Sequence, residues 1–292
     1  MSMVAFMPAV TLSFLLERAV RFLQGRGVGF ARAEAEHLLT HVLGCRRCEL
    51  PLRRGERVER ALLTEFLPLL RRRGRREPLA YVLGESDFHE LSLRCDRRAL
   101  IPRPETEELV EWLLGRWEKN PPARVLDLGT GSGAIGLALA RAFPRSCVMA
   151  VDLDPAALDL ARENAERNRV DNIRFVRSDW FEKIQGRFDL MVANPPYLTA
   201  EELESAEPEV RDYEPRKALG AAEEGLAELL RILRSAKNFM TPSAWLVMEM
   251  GIAHGEVLKR EAESLGFGSV HIRRDLSGRP RFFLASQGLL TF

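Results

Sequence analysis

The chain has 292 residues, of which 46% are hydrophobic and 29% are charged, and its formal net charge is +1. This is the composition of an ordinary globular protein, which excludes a low-complexity chain, and the length suffices for one large domain and a smaller one. The charge is uneven, because residues 1–80 carry 15 arginines against 8 glutamates and the rest of the chain has an acidic excess. We expect the basic part to face an acidic surface or nucleic acid.

The amino-terminal stretch contains no charged side chain before Glu17, which superficially resembles a signal peptide. It lacks a basic start, Pro8 interrupts it, and it is too short to span a bilayer as a helix. Cys45 and Cys48 have the spacing of a metal-binding pair, but neither a second such pair nor a histidine pair follows in the sequence. We therefore predict a loose amino-terminal extension, no metal, no membrane partner and a cytoplasmic location.

Three apolar patterns of helical period lie in the basic part, over Leu12–Leu23, Ala35–Leu43 and Leu62–Leu70. Glycines separate these patterns from one another. They predict a small helical-bundle domain over residues 1–80, which ends near the basic run Arg71–Arg76. Such a run is interpreted either as a solvated face or as a docking surface.

Residues 81–104 are predicted to connect this domain to the rest of the chain. Asp87–Leu93 alternates between polar and apolar residues, as a β-hairpin does. Ile101–Glu107 is stiffened by Pro102 and Pro104 and leads into a helix with an acidic start. One interpretation of this segment is a proline-rich helix start, and the other is a lid over a bound ligand.

From residue 105 onwards, predicted strands alternate with predicted helices. Seven strands are expected at residues 124–128, 147–151, 173–176, 188–193, 245–250, 269–273 and 281–285. Asp154 and Pro155 are typical of a helix start, and the apolar pattern Leu226–Phe239 predicts a long helix that Pro242 ends. The alternation predicts an α/β domain over residues 105–292, with a mostly parallel seven-stranded sheet and helices on both faces.

A glycine-rich loop joins the first of these strands to its helix, and acidic residues follow the next two strands. The loop consists of Asp127, Leu128, Gly129, Thr130, Gly131, Ser132 and Gly133. Its glycines let a ligand approach the backbone closely. Asp152 is placed to accept hydrogen bonds from ribose hydroxyls, while Asp179 and Trp180 could bond an adenine amino group and cover its ring. The pattern predicts a nucleoside cofactor.

The loop alone leaves the cofactor open, because Gly129, Gly131 and Ala134 also satisfy the dinucleotide fingerprint of an NAD-dependent enzyme. Asp127 argues against NAD, since a carboxylate before the first glycine would repel a pyrophosphate and attracts a cationic amino group. A second nicotinamide-binding half is not evident in the sequence either. We therefore predict S-adenosylmethionine as the cofactor, with S-adenosylhomocysteine as the product.

The motif Asn194-Pro195-Pro196-Tyr197 follows the apolar strand 188–193 and marks the predicted active centre. Two prolines end the strand, so the motif faces the crevice where open α/β sheets bind ligands. The side-chain carbonyl of Asn194 and the backbone carbonyl of Pro195 can accept both hydrogens of an amide or aromatic amine, and Tyr197 offers a face for stacking. The alternative is a strand-ending turn with a surface tyrosine.

Together these residues resemble the class I methyltransferases and, more narrowly, the HemK/PrmC family of protein-(glutamine-N5) methyltransferases. Two further segments, Leu100–Glu107 and Asp212–Pro215 with Ala218-Leu219, look like signatures of this family. The resemblance covers nearly the whole chain and implies a Rossmann-like fold. It also implies that the substrate is the glutamine of the Gly-Gly-Gln motif in class 1 peptide chain release factors, which the amino-terminal helices help to hold.

The resemblance implies a role for each matching residue. Asn194, Pro195 and Tyr197 would be catalytic and would bind the substrate amide together with Pro196. The residues expected to bind the cofactor are Asp127, Gly129, Thr130, Gly131, Ser132, Gly133, Asp152, Asp179, Trp180, Asn194 and Thr106. Thr106 belongs to this set as part of a predicted lid, residues 101–106, over the methionine end. The protein is expected to act as a monomer.

A neighbouring activity is methylation of an exocyclic amine on a base of rRNA, tRNA or DNA, since the same motif would hold a flipped adenine or guanine. The basic amino-terminal domain would then contact phosphates. We favour a protein substrate over nucleic acid. A non-catalytic binding module is a third alternative, but it would need a degraded cofactor loop, and this loop is intact.

Overall fold

The chain divides into two compact units in the computed structural model, which describes residues 10–222 and 225–288. The first unit ends at Gly84, and the second begins at the next residue. The predicted domain boundary at residue 80 lies inside a short helix, Leu79–Leu83, which places the end of the first unit after this helix. The predicted amino-terminal extension lies outside the described residues as far as residue 9.

The first unit is helical. Its described helices are α1 (Leu12–Gln24), α2 (Ala31–Leu43), α3 (Arg60–Gly74) and α4 (Leu79–Leu83). A 3-10 helix, Arg47–Arg53, lies between α2 and α3, and α2 ends at Gly44, whose φ of 59° favours glycine. Buried side chains such as Leu23, Leu38 and Phe66 form the core of this unit. The three helices that the apolar patterns predict are confirmed.

The basic run Arg71–Arg76 at the end of α3 is only partly a surface. Arg73 is 4% exposed and pairs with Glu34 of α2, with 3.1 Å between Arg73 Nη2 and Glu34 Oε1. Arg72 donates a hydrogen bond to Glu77 Oε1 at 2.7 Å. The guanidinium groups of Arg72 and Arg73 thus satisfy acceptors within the unit, and the interpretation of this run as a docking surface stays a prediction.

Ion pairing of this kind involves many acidic residues of the first unit. The glutamates that pair with arginines are Glu17, Glu34, Glu36, Glu49, Glu56 and Glu77. Most of these pairs are exposed and contribute little to stability. The pair between Arg73 and Glu34 differs, because its two side chains are only 4% and 16% exposed.

Arg73→Met is expected to lower the unfolding free energy of the first unit by about 3 kcal/mol, because Glu34 keeps a largely buried charge that has lost its partner. Hydrogen exchange of the α2 and α3 amides, measured by mass spectrometry on the full chain, would report this loss. Arg71→Met is the matched control, since Arg71 is exposed on the same helix. Equal protection in the two variants would contradict a structural role for Arg73.

The second unit is built on a seven-stranded sheet and carries a separate two-stranded hairpin. The strands are β1 (Glu85–Phe88), β2 (Leu91–Arg94), β3 (Arg124–Leu128), β4 (Cys147–Asp152), β5 (Ile173–Arg177), β6 (Phe188–Ala193), β7 (Met240–Glu249), β8 (Ser269–Arg274) and β9 (Pro280–Ser286). The order in the large sheet is β5-β4-β3-β6-β7-β9-β8. Strands β3 to β7 pair in parallel, and β9 pairs antiparallel with both β7 and β8. The predicted, mostly parallel seven-stranded sheet is confirmed.

Helices cover both faces of this sheet. The described helices of this unit are α5 (Pro104–Trp117), α6 (Ala134–Ala142), α7 (Pro155–Asn168), α8 (Ala200–Ser205), α9 (Pro208–Tyr213), α10 (Ala227–Ala236) and α11 (Gly255–Ser264). Val125 of β3 packs in one apolar cluster with Leu113 of α5, whereas its neighbour Leu126 packs in another with Leu233 of α10. Successive side chains of a strand point to opposite faces, so β3 is buried on both sides. None of the described helices has the length and hydropathy that a membrane crossing requires.

The hairpin β1–β2, predicted as part of a connector, packs on α7 of the second unit. The side-chain amide of Asn168 accepts from Ser92 N and donates to Ser92 O, both at 3.0 Å. Asn164 Oδ1 accepts from Arg94 N at 2.7 Å. These side chains satisfy backbone groups of β2 that a neighbouring strand would otherwise bond. They thereby tie the hairpin to α7, the helix that follows β4.

The prediction that Pro242 ends a long helix is wrong. Helix α10 ends at Ala236, a 3-10 turn follows, and β7 begins at Met240 and contains Pro242. The register between β6 and β7 shifts between Phe188, opposite Met240, and Leu190, opposite Trp245. Pro242 lies in this irregularity, where a proline removes no regular ladder hydrogen bond.

Candidate active site

A cavity of about 620 Å³ lies at the carboxyl ends of β3, β4 and β6. Strand β3 has β4 on one side and β6 on the other, so the chain reverses its direction of winding at this point. Open α/β sheets bind their ligands at such a crevice. The predicted cofactor residues in its wall are Thr106, residues 129–132, Asp152, Asp179, Trp180 and Asn194.

The glycine loop between β3 and α6 owes its shape to its three glycines. Gly129, Gly131 and Gly133 have φ values of 72°, 54° and 88°, which disfavour other residues. A Cβ atom at Gly133 would lie 2.9 Å from Leu137 Cδ1, and one at Gly129 would lie 3.2 Å from Trp180 Cζ3. A larger residue at either position would therefore combine a strained φ with a close contact that the neighbouring side chain has to relieve.

Asp127, in strand β3, accepts hydrogen bonds from the glycine loop and from the helix that follows it. Its Oδ2 atom accepts from Thr130 Oγ1 at 2.6 Å and from Gly136 N at 2.9 Å, and the residue is only 1% exposed. Burial raises the pKa of this carboxyl group to about 6, although both hydrogen bonds favour the charged form. Asp127 is absent from the described residues that line the cavity. The contact that shapes the loop is thus observed, and a direct contact with a cofactor stays a prediction.

Asp152 joins the end of β4 to the same loop. Its Oδ2 atom accepts from Gly131 N and its Oδ1 atom accepts from Asp154 N, both at 2.9 Å. Burial is the main cause that raises the pKa of Asp152. Each carboxylate oxygen can accept a second hydrogen bond, and Asp152 lies in the cavity wall. It can therefore bind hydroxyl groups as predicted. Asp154 caps α7 by accepting from Ala156 N at 3.0 Å, which confirms the predicted helix start.

Asp179 and Trp180 form one end of the cavity together with two residues that the sequence did not indicate. Asp179 Oδ2 pairs with Arg231 Nη2 at 3.0 Å, and Trp180 Nε1 donates to Glu228 Oε2 at 2.5 Å. Arg231 and Glu228 both belong to α10 and line the cavity. Trp180 has a φ of 45°, which is uncommon for a residue other than glycine. The indole ring thus lies against the glycine loop, held by its hydrogen bond to α10.

The motif that begins at Asn194 leaves the sheet directly after β6. Asn194 Nδ2 donates to Thr106 Oγ1 at 3.1 Å, and Asn194 and Pro196 line the cavity. Pro195 is buried, and the motif is anchored by the Leu219 carbonyl, which accepts from Tyr197 N at 3.1 Å. Asn194 therefore lies where β6 meets the cavity. No described atom tests the predicted use of the Pro195 carbonyl.

Tyr197 has a partner that the sequence did not indicate. Its hydroxyl donates to Glu249 Oε1 at 2.7 Å, and its ring packs edge-on against His254, with 6.5 Å between ring centroids. Burial raises the pKa of Tyr197 well above its usual value, and the carboxylate of Glu249 adds to this shift. The alternative of a surface tyrosine is thus wrong. Among the described residues of the cavity wall Tyr197 is absent, so stacking on an acceptor stays a prediction.

The segment before α5, predicted as a possible lid, already forms a wall of the cavity. Ile101 N donates to Glu214 Oε2 at 3.1 Å, and Arg103 Nη2 donates to Glu214 Oε1 at 2.6 Å. Burial raises the pKa of Glu214, and the guanidinium of Arg103 opposes this shift. Glu214 thus fastens this wall to the chain after α9, so the two segments that look like family signatures are in contact. Movement of residues 101–106 over a ligand stays a prediction.

Comparison with known proteins agrees with this geometry. Residues 15–84 match the family model of the PrmC N-terminal domain, and residues 107–207 match that of the methyltransferase small domain. The release factor glutamine methyltransferase of Aliivibrio fischeri is 36% identical over 278 residues, which cover 94% of this chain and 97% of that protein. The protein of the same name from Salmonella typhimurium is 40% identical and covers 86% of this chain and 90% of its own length. The chain belongs to the release factor glutamine methyltransferase family.

Membership of the release factor glutamine methyltransferase family confirms the resemblance that the sequence motifs carry. A solved methyltransferase from Pyrococcus furiosus superposes with a TM-score of 0.53 at 18% identity, over 68% of this chain and 90% of that chain. This likeness shows the fold, which is that of a class I methyltransferase.

S-adenosylmethionine is the cofactor of this methyltransferase fold, and the residues of the cavity fit it. Asp152, Asp179 and Glu228 bring carboxylate acceptors to the wall, which suit the hydroxyl groups of ribose and the amino group of adenine, and Arg231 pairs with Asp179 and Glu228 there. Trp180 adds an aromatic ring at the same end. The open cradle above Gly129 and Gly131 allows close approach to the backbone.

Proposed function

We propose that this protein transfers the methyl group of S-adenosylmethionine to the N5 atom of the glutamine in the Gly-Gly-Gln motif of class 1 peptide chain release factors. The observation that carries the proposal is the position of Asn194, at the end of β6 and in the wall of the cofactor cavity. A side-chain amide at this point can hold a second amide by hydrogen bonds. Membership of the family supports the same substrate.

The chemistry is mainly a matter of positioning. An amide nitrogen is a weak nucleophile, because its lone pair is delocalised into the carbonyl group. When bound, S-adenosylmethionine supplies a methyl group that its sulfonium charge has already activated. Asn194 Oδ1 and the Pro195 carbonyl oxygen would accept hydrogen bonds from the two N–H groups of the glutamine side chain, which raises the electron density on its nitrogen. Fixing the acceptor in line in this way can contribute ~7–11 kcal/mol.

The remaining residues of the motif orient the acceptor and exclude water. Pro196 lies in the cavity wall and presents an apolar surface beside Asn194. Tyr197 would pack against the amide plane of the glutamine. We expect the proton of the product to leave to water after methyl transfer, without a dedicated base. The monomeric state and the cytoplasmic location stay predictions.

The substrate class is tested by methyl incorporation from labelled S-adenosylmethionine. A release factor should accept label, and its variant with alanine in place of the Gly-Gly-Gln glutamine should not. Ribosomal RNA and tRNA, incubated in parallel, should stay unlabelled. Label in RNA, or in the release factor without that glutamine, would overturn the proposal and favour methylation of a base. Mass spectrometry of the labelled peptide would place the methyl group on N5.

Affinity for S-adenosylmethionine is expected to fall as the pH is lowered below about 6. In the protein without cofactor, Asp127 takes up a proton below its raised pKa of about 6. A cation bound in the cavity would favour the carboxylate form of Asp127. Binding would then release this proton, and the dissociation constant should rise by up to about tenfold per pH unit. Calorimetric titration between pH 5 and 8 measures the slope. Asp127→Asn should bind more weakly and flatten it, and an unchanged slope in this variant would assign the effect to another group.

A further inference from the structure

A hydrogen-bonded network of four side chains lies beside the cavity and includes Glu249, the last residue of β7. Glu249 is 2% exposed, and its Oε2 atom accepts from Thr106 Oγ1 at 2.7 Å while its Oε1 atom accepts from the Tyr197 hydroxyl at 2.7 Å. Thr106 is 4% exposed and accepts in turn from Asn194 Nδ2 at 3.1 Å. The network therefore connects the buried carboxylate of Glu249, through the hydroxyl of Thr106, to the side-chain amide of Asn194.

The direction of these bonds follows from the chemistry of each group. A carboxylate only accepts, so both hydroxyls must donate to Glu249. The hydroxyl of Thr106 has one hydrogen, which it gives to Glu249, and its oxygen can then only accept. Asn194 must therefore present its NH2 group to Thr106, which leaves its carbonyl oxygen for other partners in the cavity wall.

We propose that Glu249 is a positioning residue, which acts through Thr106 to present the carbonyl oxygen of Asn194, and not its NH2 group, to the acceptor. This inference rests on the proposed function, in which the acceptor is itself an NH2 group. If Asn194 were reversed, its NH2 group would face the NH2 group of the substrate glutamine, and neither donor would have an acceptor. A carboxamide is nearly symmetric in shape, so packing alone does not select between its two orientations.

The surroundings of Glu249 act in both directions on the ionised form that this arrangement needs. Burial raises the pKa of Glu249, and the hydroxyl donors Thr106 and Tyr197 and the guanidinium of Arg281 oppose this shift, while Glu105 adds to it. Arg281 Nη1 lies 3.5 Å from the Tyr197 hydroxyl and so brings a positive charge to the same group of side chains. A proton on Glu249 would let it donate to Thr106, and Thr106 could then donate to Asn194 and reverse it.

The test compares three variants in full-length protein. Thr106→Val keeps the shape and removes the hydroxyl, and it should lower kcat about 10–100-fold, with the KM for release factor and the affinity for S-adenosylmethionine changed little. Thr106→Ser restores the hydroxyl and should recover kcat to within about twofold. Thr241→Val is the matched control, since Thr241 Oγ1 donates to Asp189 Oδ1 at 3.0 Å elsewhere in the sheet. A Thr106→Val enzyme with normal kcat and weak cofactor binding would overturn the proposal and leave Thr106 as a cofactor contact.

Glu249→Gln tests the relay itself. Its amide must donate to one of the two hydroxyls, so kcat should fall, and the double variant with Thr106→Val should be no slower than the slower single variant. Additive losses would show that Glu249 and Thr106 act independently, which contradicts a relay.

A readout without substrate separates this inference from the proposed function. The side-chain NH2 of Asn194, identified in ¹H–¹⁵N spectra by its loss in Asn194→Asp, should exchange slowly in the wild type and in Thr106→Ser. It should exchange rapidly in Thr106→Val. If the wild type leaves release factors unmethylated but this protection pattern holds, the proposed function fails and the orientation of Asn194 stands. Equal exchange in all three proteins would overturn the positioning role.

Discussion

Asn194→Ala is expected to lower turnover of a release factor about 10²–10³-fold, the loss typical of removing one preorganised polar group at a reacting centre. Asn194 lies in the cavity wall directly after β6, and its carbonyl oxygen is the side-chain acceptor proposed for the substrate NH2. Single-turnover kinetics at saturating cofactor would measure the loss in the methyl-transfer step.

Binding of S-adenosylmethionine provides the control for this variant. Its dissociation constant should stay within about twofold of the wild type, because the loop and the acidic residues that would hold the cofactor are unchanged. A variant that lost cofactor binding but kept its turnover would show that Asn194 holds the cofactor and not the acceptor.

Asp152→Ala is expected to have the opposite pattern, with S-adenosylmethionine bound about 10–100-fold more weakly and turnover at saturating cofactor much less affected. Hydrogen bonds to a charged group contribute ~1.5–3 kcal/mol each, and Asp152 also holds Gly131 N at 2.9 Å. Equilibrium titration measures the effect directly.

Two further variants sharpen this test. Asp152→Asn keeps one acceptor oxygen and should give an intermediate affinity. Asp159→Ala removes an acidic side chain that is 64% exposed on α7 and should bind the cofactor like the wild type. An Asp152→Ala protein with normal affinity and slow turnover would contradict the assignment of Asp152 to the ribose.

The parts of the site that the sequence predicts correctly are those with local causes. Positive φ values at Gly129, Gly131 and Gly133 require glycine, so the loop is visible as a spacing of glycines. Two prolines end β6 at Ala193, and the apolar runs of a buried parallel sheet mark its strands. Each of these signals lies within a few residues of the feature that it predicts.

The parts that the sequence does not predict depend on contacts between distant segments. Glu249 lies 143 residues from Thr106, and Glu214 lies 113 residues from Ile101, so no spacing relates either carboxylate to its partner. A glutamate at the end of the apolar strand β7 is the one local signal, because a charge there must meet a partner when it is buried. Tyr197 is a related case, since its hydroxyl partner comes from β7 and not from its own motif.

Pro242 shows the same limit for secondary structure. Proline ends helices by removing an amide donor, and the rule predicts a helix up to this residue. The register shift between β6 and β7 instead creates a place in the sheet where that donor is not needed. Tertiary pairing thus overrides the local preference.

We expect the paired arginines of the first unit to affect its predicted contact with a release factor. An internal ion pair leaves net charge unchanged, so the arginine excess of residues 1–80 still attracts an acidic surface from a distance. At contact, guanidinium groups such as those of Arg72 and Arg73 are already engaged with glutamates. Long-range attraction is screened by salt over about 8 Å at physiological ionic strength. Raising the salt concentration should therefore slow the association of the two proteins much more than it speeds their dissociation, which stopped-flow measurements would resolve.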